Sequence, residues 1–344
     1  MVDVAVLIGR FQPVHNGHLA LLRQAFARAH RVVVIVGSAF QARTPKNPFT
    51  WQERANLLKN SLMPDEAARL TIFPMRDYYD QARWAKAVLA TVNQQIQPGN
   101  RIALVGHFKD ASSSYLSDFP GWELNRLPRY GAMDSTVLRD AWFGAPAPDR
   151  AASLTQFAGE VPAATLQLLT QFAATPDYTA LQREWRALRD DRAAWATAPY
   201  PPVFVTVDAL LRGQGQVLLV QRGRAPGKGL WALPGGFLEP RDTLWQSCLR
   251  ELAEETRCAL SESTLRAALQ QVHVFDHPDR SLRGRTITHA HYFDLGNAPL
   301  PAVQANDDAA QARWMPMDDL PALEAQFFDD HFHILDHFLG LLDP

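Results

Sequence analysis

The apolar positions of the first hundred residues come in short unbroken runs rather than in alternation. Residues 4–8 (VAVLI) are apolar throughout and stop at Gly9, and residues 31–36 (RVVVIV) stop before Gly37. Residues 69–73 and 101–105 repeat the pattern, the last one stopping at Gly106. Runs of this length, closed by glycine, predict strands buried on both faces. A helix-like stretch over 17–29 separates the first two. Strands alternating with helices predict an α/β fold with a parallel sheet covered on both sides. Ligands of such sheets bind at the carboxyl ends of the strands, where Gly9, Gly37 and Gly106 fall.

Between 162 and 195 the period becomes helical, with Leu166, Leu169, Phe172, Leu181, Trp185 and Leu188 among the apolar positions. The segment 198–202 (APYPP) then places three prolines in four positions, which stops a helix and predicts a stiff extended linker. Beyond it, residues 203–211 and 216–221 read as two strands joined by a turn at Arg212-Gly-Gln-Gly215. The predicted organisation is a first domain with a helical extension over 1–190, a linker over 191–202 and a second domain over 203–344. No internal repeat stands out.

A length of 344 residues agrees with two or three domains, and 47% hydrophobic with 20% charged residues describes an ordinary globular chain. The formal net charge of -2 provides no overall field for nucleic acid or an anionic membrane, so neither is an expected partner. Any phosphate binding has to be local. The start of the chain lacks a basic segment ahead of its apolar run, and no apolar run approaches the roughly 20 residues that cross a bilayer. The expected compartment is the cytoplasm. Cys248 and Cys258 fall in one helix predicted over 243–258, about 15 Å apart along its axis, which is beyond disulfide reach. Both are expected to be reduced packing residues. A homo-oligomer is compatible with the sequence.

The string GRFQPVHNGH, residues 9–18, lies between the first predicted strand and the first predicted helix. His15 and His18 are three apart at the start of that helix and share a face. A helix N-terminus offers unpaired N–H groups and the positive end of the helix dipole. Two imidazoles added there can donate hydrogen bonds to a polyphosphate and, when protonated, offset its charge. Gly17 lets the backbone approach the ligand. This string resembles the HxGH motif of the nucleotidyltransferases, in the form found in archaeal-type nicotinamide mononucleotide (NMN) adenylyltransferases. Residues 37–54, ending in Arg54, resemble that family's second block; residues 106–115 resemble its nucleotide-side loop; residues 134–139 resemble its ISxTxxR block. Met133 and Asp134 stand where the family usually has Ile-Ser, while Ser135, Thr136 and Arg139 are kept.

The resemblance implies a Rossmann-like domain in which the phosphate of NMN attacks the α-phosphorus of ATP, giving NAD and pyrophosphate. It implies that ATP is bound by Gly9, Arg10, Phe11, His15, Gly17, His18, Gly106, Ser135, Thr136 and Arg139. His15, His18, Arg54 and Arg139, with Mg²⁺, would supply the catalytic alignment and charge neutralisation that an already anionic nucleophile needs. Asp77 and Trp84 would hold NMN, Trp84 by stacking on its ring.

A second constellation falls in the predicted helix over 243–258, where Glu251, Glu254 and Glu255 are related by i, i+3 and i+4 spacings and share one face. Three crowded carboxylates repel one another unless a cation joins them, and hard oxygen ligands suit Mg²⁺, with Mn²⁺ as a substitute. Arg250 can orient a glutamate. A merely solvated acidic face would not require Gly235-Gly236 ahead of it. With Gly236 as its first glycine, the segment resembles the Nudix box GX5EX7REUXEEXGU, with Asp242 in place of its first glutamate and Arg257 in place of its last glycine. The resemblance implies an α/β/α Nudix sandwich, with Glu251, Glu254 and Glu255 as metal ligands and Glu254 and Glu255 in the catalytic set. Flanking segments are similar to the Nudix half of bacterial proteins fused to the adenylyltransferase, and this implies ADP-ribose as substrate, cleaved to AMP and ribose 5-phosphate. Arg280, Arg283 and Arg285 form a basic cluster suited to a phosphorylated ligand or simply to solvent. Asp307 and Asp308 are weak candidates for the water-activating base.

Three rival readings remain at this point: transfer to another phosphorylated acceptor, a Nudix domain that senses a ligand without cleaving it, and an RNA-directed module, which the charge balance disfavours. Residues 223–229 lack the spacing of a Walker loop, and His331, His333 and His337 do not form a clear ligand set.

Overall fold

The computed structural model describes residues 1–97, 99–106, 118–127, 131 and 133–342. Contacts divide the chain into two compact units, Met1–Gln182 and Arg183–Pro344. In order, the first unit contains β1 (Val2–Gly9), α1 (Asn16–Arg28), β2 (Ala29–Val36), α2 (Trp51–Asn60), α3 (Pro64–Ala68), β3 (Leu70–Pro74), α4 (Gln81–Asn93), β4 (Ile102–Gly106) and β5 (Glu123–Arg126). There follow α5 (Ser135–Gly144), α6 (Arg150–Thr155), α7 (Ala163–Phe172) and α8 (Pro176–Ala194), within which the boundary between the units falls.

The five strands pair in parallel in the order β3-β2-β1-β4-β5. The chain winds outward from β1 in both directions, so the switch point lies between β1 and β4, whose ends are Gly9 and Gly106. Alternate residues of β1 face opposite layers. Ala5 and Leu7 pack with Leu22 and Phe26 of α1, while Val4 and Val6 pack with Val88 and Val92 of α4. This double burial explains the continuous apolar runs.

The second unit contains β6 (Val203–Gly213), β7 (Gln216–Arg222), β8 (Trp231–Ala232), β9 (Gly235–Phe237), α9 (Leu244–Thr256), α10 (Glu262–Ala268), β10 (Leu269–Phe275), β11 (Arg285–Asp294), β12 (Ala309–Pro316) and α11 (His331–Leu339). Its sheet runs β10-β11-β6-β7-β12, with β8 on β7 and β9 on β6; only β6 and β11 pair in parallel among these neighbours. Val207, Ala209 and Leu211 face Cys248 and Leu252 of α9 and Leu265 of α10, whereas Leu210 faces Ile334 and Leu335 of α11. The sheet is therefore covered on both sides, and both units have the predicted α/β class.

Some elements differ from the prediction. Strand β5, with sequence ELNR, has one buried residue and among the described residues pairs with β4 alone, so an edge position hides it from an apolar-run criterion. The helical stretch over 162–195 is two helices, α8 beginning at Pro176, where a missing N–H costs no hydrogen bond. Helix α9 stops at Thr256 because Arg257 adopts a left-handed conformation (φ 49°), so Cys258 lies beyond the helix rather than within it. Both cysteines are free and buried.

Candidate active sites

At the β1/β4 switch point a cavity of about 620 Å³ opens among Arg10, His15, His18, Ser135, Thr136 and Arg139. The loop after β1 turns through Phe11, whose φ is 53° and whose buried ring lies edge-on to His18 at 4.9 Å. A Cβ on Gly9 would come 3.0 Å from that ring, which is why a glycine ends β1. Helix α1 starts after His15. The rings of His15 and His18 stack with centroids 3.7 Å apart, and the backbone N–H of His15 donates to Nδ1 of His18 at 3.2 Å. With Nδ1 accepting, a neutral His18 carries its hydrogen on Nε2, as a donor. Gly17 also lines the cavity.

Helix α5 is tied to the same loop. Asp134 caps it by accepting the N–H of Thr136 at 2.8 Å, and the hydroxyl of Ser135 donates to the carbonyl of Pro13 at 3.0 Å. Arg139 donates through Nη1 to the carbonyl of Gln12 at 2.6 Å and through Nη2 to Oγ1 of Thr136 at 3.1 Å. Burial lowers Arg139 to about 10, so it stays cationic at neutral pH. A fixed guanidinium beside two imidazoles and a helix N-terminus forms an anion site organised in advance.

Arg54, expected near the phosphates, has four main-chain partners. It is only 1% exposed, does not line the cavity, and donates to the carbonyls of Arg10 and Gly37 (2.7 Å each), Ser38 (3.0 Å) and Thr50 (3.2 Å). Its guanidinium braces the two loops that follow β1 and β2. The carboxylate of Asp77 accepts from the N–H and hydroxyl of Ser38 and from Nε2 of Gln41, and Trp84, in α4, stands edge-on to Phe119 at 5.9 Å. Neither lines the cavity of His15 and His18. Gly106 ends β4, whereas residues 107–115 of the loop predicted to contact nucleotide lie outside the described residues. Lys46, to which the motif reading gave no role, lines the cavity.

In the second unit, α9 presents its glutamates to β9. Thr243 and Gln246 form a capping box that starts the helix. Glu255 accepts the N–H of Gly235 at 3.0 Å, and burial, reinforced by the charge of Glu251, pushes its carboxyl up to about 8. A Cβ on Gly236 would fall 2.5–2.7 Å from the carboxylate of Glu251, so only glycine lets that carboxylate lie against the strand. Arg250 joins the group: Nη1 lies 3.0 Å from Glu251 and 2.9 Å from Glu254, and Nε donates to Asp242 at 3.1 Å. Asp242 therefore reaches the arginine despite being one methylene shorter than glutamate. Arg257 donates to Oδ1 of Asn306 at 2.8 Å. Asn306 in turn donates its backbone N–H to the carbonyl of Glu255 and its Nδ2 to that of Glu254.

Glu251 and Glu254 meet at the same nitrogen of Arg250, while Glu255 lies against the N–H of Gly235. Among the described residues no group of three or more His, Cys, Asp or Glu side chains is placed to hold a metal ion. The three expected ligands are thus hard oxygen donors, two of them held by Arg250 and the third by the N–H of Gly235. Their chemistry fits a divalent cation.

The basic cluster is also corrected. Arg280 is 5% exposed and grips Asp330 through two bonds of 2.9 and 2.8 Å; Arg283 lies over Phe237 and Phe328; Arg285 donates to the carbonyl of Asp276. Arg280 and Arg283 nevertheless line a small cavity of about 60 Å³ with Glu255, Arg222 and His331. His331 is buried, accepts the N–H of Leu233 at Nδ1 (3.0 Å), and is lowered to about 3 by burial. Its 3.9 Å approach to Asp208 is therefore not an ion pair.

Known proteins resemble both parts of the chain. The NUDIX domain family matches residues 201–338, and the Cytidylyltransferase-like family matches residues 6–87. A nicotinamide/nicotinic acid mononucleotide adenylyltransferase of Acinetobacter baylyi is 33% identical over 186 residues, 54% of this chain and 94% of that protein. An ADP-ribose pyrophosphatase of Methanocaldococcus jannaschii is 34% identical over 119 residues, 35% of this chain and 65% of that protein. A bifunctional NMN adenylyltransferase/ADP ribose pyrophosphatase of Francisella tularensis superposes with a TM-score of 0.90 at 35% identity, covering 99% of each chain, and a further structure of that enzyme contains AMP and a manganese ion. With a cavity lined by two histidines and an arginine at the switch point of one sheet and a glutamate helix against the other, and with likeness along its whole length, the chain belongs to the family of bifunctional NMN adenylyltransferase/ADP-ribose pyrophosphatases.

Proposed function

We propose that the first domain, over 1–190, joins NMN and ATP to give NAD and pyrophosphate, and that the second, over 203–344, hydrolyses ADP-ribose to AMP and ribose 5-phosphate, with 191–202 between them. The observation that carries the first activity is the stacked pair His15 and His18 in one cavity with Arg139. In that cavity a phosphate oxygen of NMN would bond to the α-phosphorus of ATP while the bond from that phosphorus to the bridging oxygen breaks and pyrophosphate leaves. The chain needs no nucleophile of its own. His15, His18 and Arg139 would hold the phosphates in line and stabilise the charge passing to pyrophosphate. Ser135 and Thr136 would add hydroxyl contacts, with Gly9, Arg10, Phe11, Gly17 and Gly106 shaping the pocket. Arg54 would act by fixing the loops. Asp77 and Trp84 would hold NMN.

In the second domain Glu251, Glu254 and Glu255 would hold Mg²⁺ or Mn²⁺, which when bound would activate water and neutralise the diphosphate. Arg250 would keep Glu251 and Glu254 oriented, and the N–H of Gly235 would fix Glu255. The test uses the purified full chain. NAD and pyrophosphate should form from NMN and ATP, and AMP and ribose 5-phosphate from ADP-ribose with either cation. Turnover only with another phosphorylated acceptor, or no hydrolysis with either metal, would reject the corresponding half.

A further inference from the structure

Arg54, the cation that the motif reading assigned to the triphosphate, is held on four backbone carbonyls outside the cavity. An anion as highly charged as ATP needs compensating cations in the pocket itself. Lys46 lines that pocket together with His15, His18 and Arg139.

The segment bearing Lys46 is built to present it. Thr44 and Asn47 exchange backbone hydrogen bonds, N–H of Asn47 to the carbonyl of Thr44 at 3.0 Å and N–H of Thr44 to that of Asn47 at 3.2 Å. Pro45 and Lys46 are thereby the central pair of a tight turn, and proline at the first central position presets its backbone. Arg43 anchors one side of the turn, meeting Glu53 at 2.7 and 2.9 Å, the carbonyl of Pro48 at 2.7 Å and Asp177 at 3.2 Å. Gln12 anchors the other side, donating to the carbonyl of Phe49 at 2.8 Å and accepting its N–H at 3.1 Å. The carbonyl of Gln12 is also the acceptor of Arg139. Through this one buried residue the turn of Lys46 and the guanidinium of Arg139 are registered to the same loop. Pro45, Asn47, Pro48 and Phe49 are buried, while Lys46 between them faces the cavity and is only half-buried.

We propose that Lys46 is a triphosphate-binding residue of the adenylyltransferase site, its ammonium taking the place beside the ATP phosphates that the sequence pattern gave to Arg54. This rests on the ATP-dependent reading of the site. An ammonium on a flexible stem carried by a rigid turn can follow charge as it moves on to pyrophosphate, whereas Arg139 is fixed by its two bonds.

The test compares wild type, Lys46→Gln, Lys46→Ala and Lys46→Arg in the full chain. Both neutral variants should lose about a hundredfold in kcat/KM for ATP, keep the KM for NMN within about twofold and regain part of the loss in Lys46→Arg. Inhibition by inorganic tripolyphosphate should weaken in parallel, while inhibition by adenosine, ADP-ribose cleavage and thermal unfolding stay as in wild type. Wild-type kinetics in Lys46→Ala, or equal weakening of adenosine and tripolyphosphate, would overturn the assignment. A wild type that binds ATP and tripolyphosphate but does not adenylate NMN would reject the proposed reaction, and the tripolyphosphate comparison would still decide the role of Lys46.

Discussion

The carboxylate of Asp134 accepts the backbone N–H of Thr136 at 2.8 Å and so caps α5 while lining the cavity of His15, His18 and Arg139. The position where related adenylyltransferases usually have serine thus still ends in an oxygen that satisfies the helix, but it adds a negative charge to a pocket for anions. The cap orders the first turn of α5, where Ser135 and Thr136 reside.

Asp134→Ser should therefore preserve the cap and remove the charge. Steady-state kinetics should show a KM for ATP several-fold lower, with unfolding little changed. Asp134→Ala should cost about 1 kcal/mol through the lost cap. A higher KM in the serine variant would contradict this account of the pocket.

Hydrolysis should depend on the glutamate face and on metal, independently of the first domain. Glu251→Gln and Glu254→Gln should each cut ADP-ribose cleavage by about a hundredfold or more, and NAD formation from NMN and ATP should be unaffected. Chelation should stop cleavage, and Mg²⁺ or Mn²⁺ should restore it. Undiminished hydrolysis in chelator would remove the carboxylates from the chemistry.

The second unit should show an unusual dependence of stability on pH. His331 is lowered from 6.5 to about 3 by burial, so its contribution is present above pH 6.5 and fades as pH falls towards 3. Glu255 is raised from 4.5 to about 8 by burial, so its contribution is present below pH 4.5 and fades as pH rises through 8. The two oppose each other in mildly acid solution, and above pH 6.5 the loss from Glu255 is no longer offset by His331. Thermal unfolding of the hydrolase in chelator should fall between pH 6.5 and 8.5, and Glu255→Gln should flatten the decline. A melting temperature that climbs throughout that interval would show that Glu255 is already ionised.

Arg257 ends α9 in a conformation natural to glycine, and its guanidinium secures Asn306 against the last carbonyls of the helix. Substitutions separate the two effects. Arg257→Gly loses the side-chain bonds but relieves the backbone, whereas Arg257→Ala loses the bonds and retains the strain. Chemical denaturation should place the alanine variant below the glycine variant by about 1 kcal/mol. The reverse order would mean that the left-handed backbone costs nothing here.

Much of the first unit is legible in the chain because β1, β2 and β4 are buried on two sides and appear as apolar runs closed by glycine. Strand β5 is illegible for the same reason, since an edge strand with one buried residue carries no such run. His15 and His18 could be placed together from helical spacing alone. The position of Arg54 could not, because its partners are carbonyls of Arg10, Gly37, Ser38 and Thr50, and main-chain acceptors leave no mark in side-chain patterns. Lys46 escaped notice for the converse reason: what selects it is a turn closed by Thr44 and Asn47 and anchored on residues as far away as Asp177. The choice between ligand and solvent for Arg280 was open in the sequence because its buried partner Asp330 lies fifty positions later.

The contact between Gly236 and Glu251 leaves no room for even one methyl group. A single-carbon change there would push the carboxylate off the strand, in a different unit from the one that holds His15. The molecule therefore carries, at one backbone position, the means of silencing hydrolysis of a dinucleotide breakdown product while synthesis continues, and a cell bearing that allele would show what pairing the two reactions in one polypeptide is for.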